Sequence, residues 1–297
     1  MATAAHAPGA AGVRNILTVD VEEYFHPNAM DGVVDPSSWD ELPRRVERNT
    51  HRMLDLLSAH DVHATFFVLG WVAERLPQLV GEIARRGHEV ACHGYAHRLV
   101  YRLGQERFRA DVRRGKAVLE DCLGAPVAGF RAASYSIVAS ALWALDVLIE
   151  EGFEYDSSIF PVRHDLYGIP GFHRFAVRLR RGAGDIVEIP PSTVELFGRT
   201  WPVAGGGYFR LLPYWVTRTA IRRVNQRDRA PAIVYVHPWE LDVDQPRLQA
   251  SRLSRFRQYT NLRHTEARLR RLLTEFAFAP IRDVIDARAV PVGTWAP

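Results

Sequence analysis

Lysine and cysteine are nearly absent from this sequence. A single lysine, Lys116, stands beside 37 arginines, and two cysteines, Cys92 and Cys122, stand beside twelve histidines. Lysine-based catalysis would therefore fall on Lys116 alone. Two cysteines exclude a disulfide framework and any zinc site built on several thiolates, so a bound metal would be held by histidine and carboxylate. Long apolar runs are missing as well. The longest, Val138 to Ile149, is broken by Ser140 and Asp146 and falls short of the ~20 residues that cross a bilayer, so no transmembrane helix is expected. Met1 to Gly12 is Ala-rich without a basic flank or an apolar run. It reads as a disordered tail over 1–13 rather than a signal peptide, which implies a cytoplasmic protein, with a peripheral position at the inner membrane as the alternative.

What remains is an ordinary globular composition. The 297 residues are 47% hydrophobic and 24% charged, enough for a sizeable core, and with no repeat or low-complexity linker a single domain over 14–297 is expected. The net charge of +4 is spread over both signs. From Arg247 to Arg271 eight arginines face one acid, Glu266; this reads as a solvated helix face, with a surface for an anionic partner as the alternative. No nucleic-acid-binding motif accompanies them, so nucleic acid is not an expected partner.

Strand and helix patterns alternate through the first half. Strands are expected at 16–21, 64–69, 89–92 and 127–130, and helices at 44–60, from Pro77 to a stop at Gly87, 106–123 and 140–152, the order of a parallel α/β fold. Between Asp156 and Pro213 the pattern loosens into long loops and antiparallel excursions, with one clear strand at 185–189. A helix at 212–224, a strand at 232–237 and a helix at 265–276 complete the chain.

Four strand ends carry candidate chemistry. In Thr18-Val19-Asp20-Val21-Glu22-Glu23, Asp20 and Glu22 share one face of the strand; a solvent-exposed acidic end is the plain alternative. In His93-Gly94-Tyr95-Ala96-His97, two histidines four apart can share a cation, and Cys92 beside them points into the core. His237, closing the apolar strand Ile233 to Val236, suits a proton donor or acceptor. Trp239 beyond it is a sugar-stacking platform or a core residue. Arg131, in Gly129-Phe130-Arg131-Ala132-Ala133-Ser134-Tyr135, can hold a carboxylate ionised. The Gly205-Gly206-Gly207 run lacks the Lys-Ser/Thr of a phosphate loop and reads as a turn or a close approach of backbone to ligand.

In this order the pieces resemble the polysaccharide deacetylases with a NodB homology domain, carbohydrate esterase family four, and within them the subgroup associated with exosortase and PEP-CTERM exopolysaccharide loci. The resemblance runs through LTVDVEEYF (17–25), ATFFVLGWVAERL (64–76), HEVACHGYAH (88–97), YDSSIFP (155–161), VAGGGYFRLLP (203–213) and HPWE (237–240). It implies a distorted (β/α) barrel with parallel strands and a loop-rich, family-specific C-terminal half. It also implies a metal-dependent hydrolase that removes N-acetyl groups from hexosamines of a polysaccharide in exopolysaccharide biosynthesis. Position by position, Asp20 matches the general base, His93 and His97 the metal histidines, Arg131 the residue orienting the base, and His237 the catalytic acid. Many members have two adjacent aspartates where this chain has Asp20 and Val21, so the third ligand stays open between Glu22 and Asp20. Asp156 lies in the region of the motif whose aspartate supports the histidine, without a residue-for-residue match. The family's proline after Arg-x is Ala133 here. Ser134, Tyr135 and Trp239 are the expected substrate contacts, and an N–H near Ser134 the expected oxyanion donor.

Two histidines and a carboxylate suit zinc first, then cobalt or nickel. The expected partner is an acetylated amino-sugar polymer or a lipid-linked oligosaccharide. The alternatives are a metal-free allantoinase-like amidohydrolase on the same fold, and a silent polysaccharide-binding protein stacking sugars on Trp239, Tyr208 and Phe209. Because deacetylation leaves cationic amines, the arginine-rich segment from Arg247 is expected away from the active site.

Overall fold

The structure, a computed structural model, describes residues 13–203 and 205–295. The tail expected over 1–13 lies outside the described residues apart from Val13. Along the chain β1 (Asn15–Val21) is followed by α1 (Val46–Ser58), β2 (Thr65–Val68), α2 (Gly70–Arg75), α3 (Pro77–Arg85), β3 (Glu89–Cys92), α4 (Val100–Leu103), α5 (Gln105–Leu123), β4 (Gly129–Phe130), α6 (Trp143–Glu150) and β5 (Tyr155–Asp156). The second half adds β6 (Val177–Arg181), β7 (Gly184–Glu188), β8 (Thr193–Leu196), β9 (Arg199–Pro202), α7 (Gly206–Leu211), α8 (Tyr214–Gln226) and β10 (Ile233–Val236). The remainder is α9 (Arg252–Tyr259), α10 (Leu262–Glu275), β11 (Phe278–Ala279), α11 (Ile281–Val284) and β12 (Val292–Gly293).

The sheet runs β10-β1-β2-β3-β4-β5-β7-β6-β12, parallel from β10 through β7. β6 joins β7 as an antiparallel hairpin, and β8 pairs β9 in a second one; these are the antiparallel excursions of the loosened stretch. Just beyond β7 the Ser192 N–H donates to the Ile233 carbonyl (3.3 Å) and its Oγ accepts from the Ile233 N–H (2.7 Å). The two ends of the parallel run thereby meet, giving the distorted α/β barrel. Every residue of β1 is buried because it lies between β10 and β2 with helices outside, the condition that makes a parallel strand apolar on both faces.

Strand parity sorts this core. Leu17, Val19 and Val21 join the large layer packed under the helices, whereas Ile16, Phe67, Ala91, Tyr155 and Ile233 form a smaller inner cluster. Asp20 and Glu22 take the inner parity. α3 enters on Pro77, and the chain leaves it through Gly87 at φ +85, where a left-handed turn favours glycine. The helix expected over 212–224 is α8 and begins at Tyr214, because Pro213 cannot continue a helix from α7 and instead caps α8. The helix expected from Ser140 begins at Trp143, after a 3-10 turn at Ala139–Ala141. Lys116 is occupied structurally, donating to the carbonyls of Glu151 (2.8 Å) and Gly152 (3.0 Å). Both cysteines are free, Cys92 in the core.

Candidate active site

All the candidate side chains leave the carboxyl ends of parallel strands, the end where α/β barrels place their chemistry. β1 supplies Asp20 and Glu22, the loop after β3 supplies His93 and His97, β4 leads into Arg131, and β10 into His237. Asp20, Glu22, His93, His97 and His237 meet along a cavity of about 380 Å³ that Ser134 and Tyr135 also line, with Arg131 buried against Asp20.

Arg131 is wholly buried. Its Nη1 donates to Asp20 Oδ1 and to Thr18 Oγ1, each at 2.7 Å, while Nε and Nη2 donate to the Ser157 carbonyl (3.2 Å) and Ser157 Oγ (2.9 Å). A buried guanidinium with each arm satisfied fixes the position of the Asp20 side chain. The same residue acts through its backbone: the Arg131 carbonyl lies 2.7 Å from His93 Nδ1. That contact puts the proton on Nδ1 and leaves Nε2 as a lone-pair donor. Burial pushes His93 down to about 4 despite Asp20 nearby, so the ring is neutral at pH 7.

Glu22, His93 and His97 each offer a ligand atom, all within 4.8 Å of one another. Glu22 Oε2 is buried without a hydrogen-bond partner, yet lies 2.7 Å from His97 Nε2 and 3.9 Å from His93 Nε2. Its other oxygen accepts from Trp239 Nε1 at 3.0 Å. Burial raises the Glu22 carboxyl, but His97, with His237 and His93, holds it below the usual carboxylate range. An unpartnered anionic oxygen converging with two imidazole nitrogens is the donor set that suits a divalent cation. Between the two carboxylates left open by the sequence, geometry favours Glu22 as the ligand, because Asp20 is engaged by Arg131.

His237 is oriented by a residue that sequence reasoning did not single out. Its Nδ1 lies 3.2 Å from Glu240 Oε2, which also accepts the His237 backbone N–H at 2.9 Å. Glu240 Oε1 in turn accepts from Arg210 Nε at 2.6 Å, and both Glu240 and Arg210 are buried. His237 Nε2 faces the carboxylates, 3.8 Å from Asp20 Oδ2 and 3.7 Å from Glu22 Oε1. Burial lowers this histidine, but Glu240, then Glu22 and Asp20, carry it up to about 9. The Glu three residues after His237 is the capping-box spacing, a signal that was available in HPWE.

Four expectations need correction. Asp156 does not support His237; it pairs in register with Glu188 on the neighbouring strand β7 and contacts Ser158. Trp239 is 3% exposed with its N–H committed to Glu22, so it steadies that carboxylate instead of offering a stacking face. Phe209 is buried in the core. The arginine-rich segment does not stay clear of the cleft, since Leu253, Phe256 and Arg257 of α9 line it. Where the family has proline, Ala133 sits in a loop fixed differently: Ser158 Oγ accepts the Ala132 N–H (2.7 Å), and Ser134 and Tyr135 adopt φ of +52 and +55. The close approach at the glycine run is to Tyr235, whose carbonyl and ring would lie 2.3 Å from a Cβ on Gly205.

Fold and site together define an α/β barrel whose strand ends combine a candidate carboxylate–dihistidine metal set with an acid–base pair. Residues 37–148 match the family model described as polysaccharide deacetylase, and residues 157–286 match one described as a domain of unknown function, DUF3473. Over 75 residues the chain is 35% identical to a peptidoglycan-N-acetylglucosamine deacetylase of Bacillus cereus, a match covering 25% of this chain and 27% of that protein. It is 38% identical over 104 residues to a chitooligosaccharide deacetylase of Sinorhizobium fredii, covering 33% and 44%. The chain thus spans less than half the length of these curated relatives. A solved structure assigned as a polysaccharide deacetylase of Mycobacterium smegmatis superposes with a TM-score of 0.63 at 21% identity, covering 100% of this chain and 99% of that one, and shows the shared fold. Residues 37–148 are thus similar to polysaccharide deacetylases, and the fold is one that a structure so assigned shares. His93, His97 and Arg131 fall within the first matched segment, and Arg210, His237 and Glu240 within the second.

Proposed function

We propose that this protein removes N-acetyl groups from hexosamine residues of a polysaccharide or lipid-linked oligosaccharide, by metal-assisted hydrolysis, in the exopolysaccharide biosynthesis of the exosortase-associated subgroup its motifs resemble. The observation that carries the reading is the buried, unpartnered Glu22 Oε2 facing His93 and His97, with Asp20 and His237 beside it.

Glu22, His93 and His97 would hold zinc, cobalt or nickel, which when bound supplies Lewis acidity toward the acetyl carbonyl and the attacking water. Asp20, positioned by the hydrogen bond from Arg131, accepts the proton of that water. His237, protonated at neutral pH through Glu240, donates to the departing amine, a poor leaving group without it. An N–H of the Ala133–Tyr135 loop stabilises the oxyanion, with Ser134 and Tyr135 against the sugar. A metal-free amidohydrolase would have no use for three converging ligand atoms. A silent binding protein is disfavoured because Phe209 and Trp239 are buried.

The test is acetate release from a panel of acetylated amino-sugar oligomers by metal-loaded protein. Asp20→Asn and His237→Ala are each expected to lower turnover by about 10²-fold or more with the fold intact. Undiminished turnover in both variants, or in chelated protein, would overturn the assignment.

A further inference from the structure

Helix α9 is built inside out. Its buried residue is Gln258, while its two large apolar side chains, Leu253 and Phe256, are 57% and 52% exposed. A surface helix ordinarily turns its apolar stripe to the core. Here polar anchors impose the reverse. Gln258 Nε2 donates to the Tyr24 carbonyl (2.9 Å) and to Gln245 Oε1 (3.2 Å), and Arg210 donates to the carbonyls of Arg257 (2.8 Å) and Gln258 (3.1 Å). With its C-terminal turn held this way, α9 directs Leu253, Phe256 and Arg257 to the lining of the catalytic cavity, where they are joined by Leu211, 38% exposed at the end of α7.

We propose that the substrate reaches this site on an apolar chain: an acetylated amino sugar whose reducing end carries a lipid, with the first carbons of that lipid seated on Leu211, Leu253 and Phe256. The inference rests on the deacetylase reading and narrows its substrate class. Hydroxyl-rich sugar edges set against Leu211 and Leu253, which offer neither a hydrogen bond nor an aromatic face, would lose water without compensation. An alkyl chain gains by the same contact, about 0.8 kcal/mol per methylene buried, so that two methylenes correspond to about tenfold in affinity. Charge agrees with a phosphate linkage between sugar and chain. Arg257 lines the same cavity, and Asp165, the acid it faces at 3.6 Å, is itself 63% exposed.

Two glycosides with one acetylated amino-sugar head distinguish the outcomes, one with a methyl aglycone and one with a decyl aglycone held below its micelle concentration. With metal-loaded wild-type protein kcat/KM should favour the decyl substrate by about tenfold or more, and Leu253→Ser/Phe256→Ser should reduce the preference to about twofold or less. Calorimetric binding of both glycosides, read without turnover, should show the same ratio. Binding that prefers decyl with no acetate released from either substrate would sink the deacetylase reading and keep the apolar subsite. Equal affinity for both glycosides, or a preference unchanged in the double variant, would overturn the subsite. A dimer that dissociates on Phe256→Ser, with no chain-length preference, would give this face to a second copy and also overturn it.

Discussion

His237 depends on a neighbour three residues away. A buried imidazole left to itself would be neutral, and a neutral ring cannot protonate an amine. Glu240, anchored by Arg210, reverses the effect of burial and carries His237 up to about 9. The protonated acid is therefore present through neutral pH and is lost as pH rises through about 9, which sets an alkaline limb on kcat. Glu240→Gln removes the strongest of the groups that raise the histidine. The limb should move to lower pH, with kcat at pH 8 down by about tenfold and recovering on acidification; pH profiles of the two proteins measure this, and a limb that stays in place would separate His237 from the acid role. Asp20, Glu22, His93, His97, Arg131 and His237 were all legible in the sequence, because each closes or follows a recognisable strand. Glu240 was less legible, because the Glu of HPWE reads equally well as a helix cap, and Asp156 competes with it as a supporting acid. The contacts decide between them: Asp156 is engaged by Ser158 and set opposite Glu188, whereas Glu240 Oε2 lies 3.2 Å from His237 Nδ1.

Between elements, the consequence is a pair of buried acids. The β5–β7 register sets Asp156 opposite Glu188, both fully buried. Burial raises both carboxyls, Asp156 to about 6 and Glu188 well above its ordinary value, where the ionised Asp156 repels it further. The pair matters to the site through the turn it fixes. The Ile159 N–H donates to Glu188 Oε1 (2.9 Å), Ser158 joins Asp156 to the Ala132 N–H, and Ser157 receives Arg131. A raised acid means that the folded state keeps a proton the unfolded chain releases above about pH 4.5, so this contribution to stability falls as pH climbs from there toward the folded pKa. Glu188→Gln is neutral at every pH and escapes that loss. Urea unfolding at pH 4.5 and pH 8 should show the variant gaining on wild type at the higher pH; an equal difference at both would show that Glu188 is ionised in the folded state. The repeating units as far as β4 were readable from apolar period, proline entry and glycine exit. The strands β5, β11 and β12 have two residues each, too short for any period to register. α9 was illegible for another reason: its apolar residues do not face the core, so the pattern that announces a helix is absent.

Across the whole molecule, candidate ligands separated by some seventy residues in sequence are brought together by parallel pairing of β1 with β2 and of β2 with β3. The barrel itself does not need a cation, since its core of buried apolar side chains runs through every layer. A cation would instead tie the end of β1 at Glu22 to the loop carrying His93 and His97, closing a contact that otherwise leaves Glu22 Oε2 without a partner. Binding to the folded state alone stabilises it by about 2.7 kcal/mol at a hundred times Kd. For a chain of this size that corresponds to a rise in Tm of roughly 4 °C. Zinc, cobalt or nickel added to chelated protein should therefore raise Tm by about that amount, while the chelated protein keeps its circular dichroism and a cooperative transition. Glu22→Gln should abolish the rise, because a neutral amide is a weak ligand and the site loses its anionic oxygen, whereas Asp20→Asn should retain it. A rise that survives Glu22→Gln but disappears in Asp20→Asn would make Asp20 the third ligand. That outcome would also require another group to accept the proton of the attacking water.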